Sequence, residues 1–419
     1  MKKTLLLLSA LLLVSSSVWG QKSDVKAIIM ADSLKAYGGD YPYPCEVPAQ
    51  TPAPKGYKAF YISHYGRHGS RYYWDSKLYP RLDSILVEAH EKGALNQAGE
   101  KFYAKYKEIY PELMHGWGEL TPLGYEQHER IARTMYESFP TIFRKGGRVN
   151  AVASLSGRAI VSMAAFCQAL SGCSGKLDIY QCSSRETLDA TAPDDRQNPY
   201  KRSFETVKFP MERSEVFEGV PAKRNVFVEE FISDVSRLDR KPEDINSTMC
   251  TFFTSLPSIN YSGIMGDPLD AEELYSIWEY DNRDTYMYYW SKRYRVIPLL
   301  EDILAKAEDV IEGRSSDIAT LRFGHDSYLG PLNVLLGLDG ADKVPADPAD
   351  FKKVYQSYHT GMAGNIQLVF YRSKGSDDVL VKALLCGEEV TLPLPGEMYP
   401  YYRWSDFKAH FSAVCEQFR

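Results

Sequence analysis

Apolar and polar residues along this chain follow two alternating patterns, compact β-prone runs and helical repeats. Residues 58–63 form a β-prone run, which breaks at Gly66 and Gly69. The residues between these glycines are therefore predicted to lie on a loop at the carboxyl end of a strand. Apolar residues at helical spacing then predict a helix over residues 78–91, directly beyond the loop.

The same order of strand, loop and helix recurs further along the chain. Thr121 and Pro122 have the character of an N-cap and a first-turn proline, and an apolar stripe follows them. Residues 149–154 predict a short strand that ends in small residues, and residues 158–170 predict the next helix. This alternation predicts an α/β fold with a mixed, mainly parallel sheet flanked by helices. Ligands bind such sheets at the carboxyl ends of the strands.

The pattern changes over residues 225–313, where helices such as 270–280 and 297–311 are predicted without clear strands. We interpret this stretch as a mainly helical insertion, or cap, in an α/β core formed by residues 58–224 and 314–419. The later predicted elements are a strand at 318–323, a small apolar helix around 332–338, β-rich runs at 366–372 and 379–394, and a helix at 405–418.

Two segments precede the predicted core. Residues 1–20 combine Lys2 and Lys3, a short apolar run and a small-residue end, which is the pattern of a secretory signal peptide. The apolar run is shorter than the roughly 20 residues that span a bilayer. Residues 21–57 are predicted to be an extended N-terminal segment, because prolines are concentrated between residues 41 and 54. We therefore expect an exported protein, either periplasmic or secreted.

The composition excludes several classes of protein. The chain has 419 residues, of which 44% are hydrophobic and 25% charged, so it can bury a core and is not collagen, coiled coil or disordered. Removing the two lysines of the signal segment changes the formal charge from -6 to -8. No block of consecutive basic residues is present to track a nucleic-acid backbone. We therefore expect a small-molecule partner, with no nucleic acid and no membrane after signal cleavage.

The cysteines do not indicate a metal or redox site. There are seven, so at least one is unpaired or pairs between chains. No C-x-x-C pair is present, so neither a zinc ribbon nor a dithiol redox centre is supported. We predict no metal and no cofactor.

The segment richest in chemistry is the loop after the first strand, R-H-G-S-R at residues 67–71. Guanidinium groups hold a phosphate bidentately, and Gly69 allows the backbone to approach a ligand. His68, between the arginines, would act as a nucleophile or proton carrier that faces the anion. Two alternatives stay open, a solvated basic loop and a metal-binding pair of His64 with His68.

Two further predicted strand ends carry candidate groups. Asp326 follows Gly324 and His325, and a carboxylic acid beside a cationic site can protonate a leaving oxygen and later activate water. Taken alone, the His-Asp pair is equally consistent with a structural role. Arg158 opens a predicted helix, where free backbone N–H groups favour anions, although arginine at such a position is otherwise a surface residue.

These segments, in this order, resemble the histidine acid phosphatase family, branch 2 of the histidine phosphatase superfamily, which includes phytases and inositol polyphosphate phosphatases. The family's R-H-G-x-R motif is residues 67–71, and its later H-D motif is residues 325–326. Residues 120–124 are similar to its L-T-x-x-G helix start, and residues 156–166 to its S-x-R-x-x-x-S-x-x-x-F segment. The resemblance extends from residue 58 to the C-terminus.

The resemblance implies a mechanism without a metal. His68 would attack phosphorus and become a phosphohistidine, while Asp326 would protonate the leaving oxygen and then help water attack the intermediate. Arginines can supply the positive charge that phosphoryl transfer requires. The residues that would neutralise the equatorial oxygens are Arg67, Arg71, Arg158 and His325.

The family also suggests a substrate, phytate or another inositol polyphosphate, for an exported phosphomonoesterase. Residues 72–74 are Tyr-Tyr-Trp, so we expect an aromatic pocket wall. His64 is expected to be a packing or loop-ordering histidine. Four alternatives stay open: a general acid phosphatase, an exported anion-binding protein that does not turn over, a metallophosphatase that uses His64, His68 and His325, and phosphotransfer to a hydroxyl other than water.

Overall fold

The computed structural model describes residues 24–220, 224–261 and 269–418. The predicted signal peptide, residues 1–20, lies outside these ranges. Within them, no helix combines the length and the apolar character that a membrane crossing requires.

One eight-stranded mixed sheet forms the centre of the fold, as the sequence predicts. Its strands are β1 (Tyr57–Arg67), β2 (Gly147–Ala153), β3 (Leu177–Cys182), β4 (Asp317–Gly324), β5 (Asn365–Ser373), β6 (Val379–Leu385), β7 (Glu388–Glu389) and β8 (Tyr402–Arg403). The spatial order is β3-β2-β4-β1-β5-β6-β7, with β8 also paired to β6. Strands β3, β2, β4 and β1 are parallel neighbours, and β5 to β8 add an antiparallel half.

Helices cover both faces of this sheet and build a separate lobe. They are α1 (Val25–Ala31), α2 (Leu78–Glu91), α3 (Gln97–Gly116), α4 (Pro122–Ser138), α5 (Pro140–Phe143), α6 (Gly157–Cys173), α7 (Leu188–Thr191), α8 (Lys201–Thr206), α9 (Arg213–Val216), α10 (Val226–Phe231), α11 (Pro242–Ile259), α12 (Ala271–Lys292), α13 (Ile297–Ile311), α14 (Asp326–Leu335), α15 (Phe351–Val354) and α16 (Trp404–Gln417). Short 3-10 helices span 33–40, 185–187, 235–237, 293–296, 338–340, 348–350 and 357–360.

The register of the parallel strands aligns their carboxyl ends. Arg67 of β1 lies opposite Gly324 of β4, and Ala153 of β2 lies opposite Phe323. The chain therefore leaves β1, β2 and β4 at the same edge of the sheet, where the three predicted candidate segments begin.

The two faces of the sheet have separate cores. Helices α4 and α6 pack on one face, where Ile62 of β1 is fully buried with Leu321 of β4. On the other face α13, α14 and α16 cover Tyr61 of β1 and Phe370 of β5. Since successive β1 residues point to opposite faces, Tyr61 and Ile62 belong to different cores.

A third core holds the helical lobe, to which the predicted helical insertion contributes. Helices α10 and α11 of the 225–313 stretch pack with α2 and α3, which precede it in the chain. Helix α13, at the other end of the stretch, packs on the sheet. The lobe is thus assembled from two parts of the chain, because the apolar faces of α2 and α3 pack against α10 and α11.

The structure corrects the first part of the predicted extended segment, residues 21–57. Residues 25–31 form α1, and residues 33–40 form a 3-10 helix. The Asp24 side chain caps α1, and the prolines that oppose helix begin only after Tyr41. The chain is extended from there to β1, as the proline pattern predicts.

A buried ion pair joins the sheet to helix α13. The Arg322 side chain is completely buried on β4, and its guanidinium lies 2.6 Å from Asp302 Oδ2 and 2.9 Å from Ser63 Oγ. We expect Asp302→Ala to lower the free energy of unfolding by about 3 to 5 kcal/mol, because it leaves a buried charge without its counter-ion. Urea unfolding measures this loss.

The control for that substitution is Asp309→Ala on the same helix, which removes an exposed partner of Arg314. We expect a loss of about 1 kcal/mol or less from the control. Equal losses in the two variants would contradict the assignment of the stabilisation to the buried pair.

Candidate active site

All six residues predicted for the site come together at the aligned strand ends. His68, Arg71, Arg158, His325 and Asp326 line one cleft, whose volume is 990 Å³. The sixth, the buried Arg67, lies next to this cleft, with its guanidinium 3.8 Å from the Asp326 carboxylate. The cleft thus brings together the three candidate segments, which are distant in sequence.

Two glycines allow the loop after β1 to approach helix α4 closely. A Cβ atom on Gly69 would lie 2.3 Å from the Gly124 carbonyl oxygen, and one on Gly124 would lie 2.2 Å from the Ser70 carbonyl oxygen. The N-cap hydroxyl of Thr121 donates to the same Ser70 oxygen at 3.0 Å. The R-H-G-S-R loop and the L-T-x-x-G helix start therefore form one packed unit, in which neither glycine can be replaced without backbone movement.

The S-x-R-x-x-x-S-x-x-x-F segment supports the loop from another side. The Ser162 hydroxyl accepts a hydrogen bond from the Gly69 N–H at 3.1 Å. Phe166 packs against the His64 ring, with 5.5 Å between centroids, and Phe323 flanks the same ring at 5.3 Å. His64 is therefore a packing histidine in the core, as expected, and burial lowers its pKa to about 3.

The arginines of the motif are held by the N-terminal 3-10 helix, which the sequence did not indicate. Arg67 Nη1 donates to the carbonyl oxygens of Gly39 and, at 2.8 Å, Thr360. Arg71 Nη2 lies 4.0 Å from Asp40 Oδ1. These contacts fix both side chains by polar groups that lie outside the motif.

Three arginines, Arg67, Arg71 and Arg158, together form what we call the phosphate cradle. Each of them retains one buried donor without a partner in the described part of the chain. The Nε atoms of Arg67, Arg71 and Arg158 are buried and make no hydrogen bond within the part of the chain that the structure describes. Arg71 and Arg158 line the cleft and Arg67 lies beside it, so three guanidinium charges favour an anion there. A phosphate has the negative charge and the acceptor oxygens that suit such a group of arginines.

His68 is held in the form that a nucleophile needs. Its Nδ1 lies 2.9 Å from the Gly69 carbonyl oxygen, which can only accept, so Nδ1 carries the hydrogen and Nε2 keeps its lone pair. Burial lowers the pKa of His68 well below 6.5, and the nearby cationic groups lower it further. Both effects favour the neutral imidazole.

His325 and Arg158 are two further basic groups of the cleft. The His325 Nε2 atom lies 3.0 Å from the Ser154 hydroxyl, and its ring centroid lies 5.4 Å from that of His68. Burial, together with the Arg158 charge, lowers the pKa of His325 to about 4. Burial also lowers the pKa of Arg158 to about 10, which leaves it charged at neutral pH. Ser154 had no sequence signal beyond its position at a strand end.

Asp326 begins helix α14 and faces the arginines. Burial raises the pKa of its carboxyl, but the charges of Arg67 and Arg71 outweigh burial, so the pKa lies below 3.8. The Tyr289 hydroxyl of helix α12 donates to Oδ2 at 3.3 Å. Gly330 permits this approach, because a Cβ there would lie 2.2 Å from the Tyr289 ring.

The family model for branch 2 of the histidine phosphatase superfamily matches residues 66–385. The chain belongs to this family. The resemblance that the motifs indicate is therefore confirmed, and the chain is assigned to the phosphomonoester hydrolases as a general class. No curated protein sequence matches this phosphatase significantly.

Solved structures of low sequence identity share the fold. The multiple inositol polyphosphate phosphatase of Bifidobacterium longum, in complex with inositol hexasulfate, is 17% identical with a TM-score of 0.69, over 91% of this chain and 98% of that one. The phytase from D. castellii is 13% identical with a TM-score of 0.65, over 91% and 85%. A Hafnia alvei phytase in complex with tartrate is 15% identical with a TM-score of 0.52, over 86% and 98%. At these identities the likeness shows the fold.

Five aromatic residues line the outer walls of the phosphatase cleft. Trp74, which is 55% exposed, lines the cleft, in agreement with the expected aromatic wall. Tyr72 instead donates to Glu112, and the Tyr73 ring lies under the Arg71 guanidinium at 5.8 Å. The other aromatic residues of the lining are Phe209, Tyr288, Tyr289 and Tyr328.

The Tyr289 hydroxyl provides a test of the pH dependence of this phosphatase. Its hydrogen bond stabilises the ionised Asp326 carboxylate, so we expect Tyr289→Phe to raise the pKa of Asp326 by about half a unit. If Asp326 must carry a proton for catalysis, the alkaline limb of the profile of kcat/KM against pH moves upward by the same amount.

Profiles of kcat/KM across the acidic range measure this shift. Tyr180→Phe, at an exposed tyrosine of β3, is the control and should leave the profile in place. The same groups that set the pKa of Asp326, namely Arg67, Arg71 and His325, are intact in both variants. A profile unchanged by Tyr289→Phe would exclude this hydroxyl as a partner of the titrating acid.

Proposed function

We propose that this chain is an exported, metal-independent phosphomonoesterase that works through a phosphohistidine on His68. The observation that carries the proposal is the grouping of three arginines, Arg71 and Arg158 in the lining and Arg67 beside it, around a cleft that also holds a neutral histidine and a carboxyl group. Such a cradle provides charge and positioning, which are what phosphoryl transfer needs from a protein.

The first half-reaction transfers the phosphoryl group to the protein. The lone pair on His68 Nε2 attacks phosphorus, and the bond between phosphorus and the leaving oxygen breaks. The negative charge of the bound phosphate offsets the arginine charges that lower the pKa of Asp326, so its carboxyl can carry a proton. It gives this proton to the leaving oxygen, so the alcohol leaves neutral. Arg67, Arg71, Arg158 and His325 stabilise the negative charge on the equatorial oxygens.

The second half-reaction restores the histidine. A water molecule attacks the phosphohistidine, and the Asp326 carboxylate takes one of its protons. The bond between phosphorus and Nε2 breaks, and its electron pair returns to the imidazole. Inorganic phosphate leaves, and Asp326 is again protonated for the next cycle.

Phytate or another inositol polyphosphate is the substrate we propose. The support comes from the fold, since the B. longum protein is an inositol polyphosphate phosphatase and two other neighbours are phytases. An open cleft of 990 Å³ also leaves room for a substrate larger than a simple phosphate ester.

A general acid phosphatase is the second candidate, and the cleft walls favour it. Aromatic side chains contribute much of the lining outside the phosphate cradle, and such walls suit an apolar or ring-shaped leaving group. A comparison of phytate with para-nitrophenyl phosphate discriminates the two candidates.

The proposed export rests on the signal pattern of residues 1–20. Expression of the complete chain in a bacterial host tests it. We expect processed protein outside the cytoplasm that begins at Gln21, and full-length protein kept inside the cell would contradict export.

Phosphate release by the processed protein, measured with EDTA present, tests the activity. We expect release from at least one of the two substrates, unchanged by EDTA. Release that EDTA abolishes would support the metallophosphatase alternative, and no release from either would support an anion-binding protein. The ratio of kcat/KM between the substrates shows whether inositol phosphate is preferred.

A further inference from the structure

An ion pair lies on the wall of the cleft formed by helices α9 and α12. Arg213 of α9 and Asp284 of α12 both line the cleft that His68 and Arg158 line. Their side chains are 56% and 50% exposed, so both are accessible to a ligand in the cleft. The Arg213 guanidinium donates to the Asp284 carboxylate.

Aromatic contacts support Arg213 in this place. Its guanidinium lies over the Phe217 ring, 4.7 Å from the centroid, and its Nη2 lies 3.5 Å from the Tyr280 hydroxyl. The Phe217 and Tyr280 rings pack on each other, with 4.4 Å between centroids. An arginine with such support loses less conformational freedom when it binds an anion than a freely moving side chain does.

Arg213 differs from the other arginines of the lining. Arg71 and Arg158 belong to the phosphate cradle, so among the described lining residues Arg213 is the one arginine outside it. A substrate with one phosphate leaves Arg213 paired with Asp284. A substrate with several phosphates brings a further dianion into the same cleft, where a guanidinium can hold it bidentately.

We propose that Arg213 is a second anion site for a further phosphate group of the substrate. The Asp284 carboxylate competes with that phosphate for the Arg213 guanidinium. The pair then determines how strongly the cleft prefers substrates with several phosphates over those with one. This inference rests on the proposed function, because it assumes that the cradle holds the phosphate that is transferred.

The competitor has a clear electrostatic effect. An incoming phosphate must share or replace the carboxylate at Arg213, and it meets the repulsion of Asp284 in doing so. Removing the Asp284 charge should therefore strengthen the binding of a polyphosphate, whereas removing the Arg213 charge should weaken it. A purely structural ion pair predicts the same sign for both substitutions, since each would break the pair.

Titration calorimetry on the His68→Ala protein tests this without turnover. The probes are phytate, which has phosphates for both sites, and inorganic phosphate, which fills the cradle alone. On this background we expect Arg213→Gln to raise the Kd of phytate by about three- to tenfold, and Asp284→Asn to lower it by about threefold. The Kd of inorganic phosphate should change much less in both variants.

Matched controls remove the same charges elsewhere. Arg224→Gln breaks exposed ion pairs with Glu229 and Glu273, and Asp239→Asn removes a carboxylate that is 91% exposed beside Lys92. Neither control should alter the Kd of phytate by more than about twofold, because salt screens charges that lie far from the cleft. Thermal unfolding confirms that all variants are folded.

Three results would overturn the inference. They are an unchanged phytate Kd in Arg213→Gln, equal changes for phytate and inorganic phosphate, and phytate binding no tighter than inorganic phosphate in the parent protein. Weaker phytate binding in Asp284→Asn would overturn the competitor role. Failure of the proposed function has a different signature, the absence of phosphate release by protein that retains His68.

Discussion

Replacing His68 with alanine is expected to lower phosphate release by about 10⁴-fold or more, because the substitution removes the attacking nitrogen. The fold should persist. His68 makes its side-chain hydrogen bond to the adjacent Gly69, so no distant element depends on it. Steady-state kinetics and thermal unfolding measure the two effects.

The control for this substitution is His115→Ala, at an exposed histidine of helix α3, which should retain full activity. An independent check is a phosphorylated peptide that contains His68, trapped from a rapidly quenched reaction. Residual activity of the His68 variant within tenfold of the parent would remove the nucleophile assignment.

Asp326→Asn is expected to have an effect that depends on the leaving group. For an alkyl phosphate such as phytate we expect a loss of about 10² to 10⁴ in kcat, because the alkoxide leaves without its proton. For para-nitrophenyl phosphate the loss in the phosphorylation step should be far smaller, since nitrophenolate leaves without protonation. Asparagine keeps an oxygen that can accept from Tyr289, so the helix start should be preserved.

Asp350→Asn, which removes an exposed partner of Lys353, is the matched control and should change neither substrate's rate. Equal losses for the two substrates in Asp326→Asn would show that this residue does not act as the acid. Single-turnover measurements separate phosphorylation from the later hydrolysis of the phosphohistidine, in which Asp326 takes part with either substrate.

The sequence predicts helices and strands correctly where the local spacing of apolar residues matches the face that the element buries. Helices 78–91 and 297–311 have the predicted bounds because their apolar spacing matches the face that they bury. Helix 97–116 was missed although Phe102, Tyr106 and Leu113 carry the right spacing, since Pro111 and two glycines interrupt the pattern. Strand 177–182 lies at the edge of the sheet with alternate residues exposed, so its sequence has little apolar signal.

The residues of the candidate site also differ in whether a local sequence pattern marks them. The six predicted residues lie in short motifs, where neighbouring side chains and glycines indicate the chemistry. Gly39, Asp40, Ser154 and Tyr289 act on those residues across long separations in sequence, so no local pattern marks them. Arg213 and Asp284 join the cleft only because two helices of the chain meet there.

The contacts of the N-terminal 3-10 helix make the phosphatase sensitive to cleavage far from its motifs. Residues 24–40 supply the carbonyl and the carboxylate that hold Arg67 and Arg71, and a largely exposed stretch at 48–53 connects them to β1. A single cut there would leave residues 24–47 held by non-covalent contacts alone, among them the buried Val25, Ile29 and Tyr41 and the hydrogen bond from the Tyr43 hydroxyl to the Cys386 carbonyl oxygen. Catalysis by the nicked protein would then depend on its concentration, because dilution would release the segment that orders the cradle.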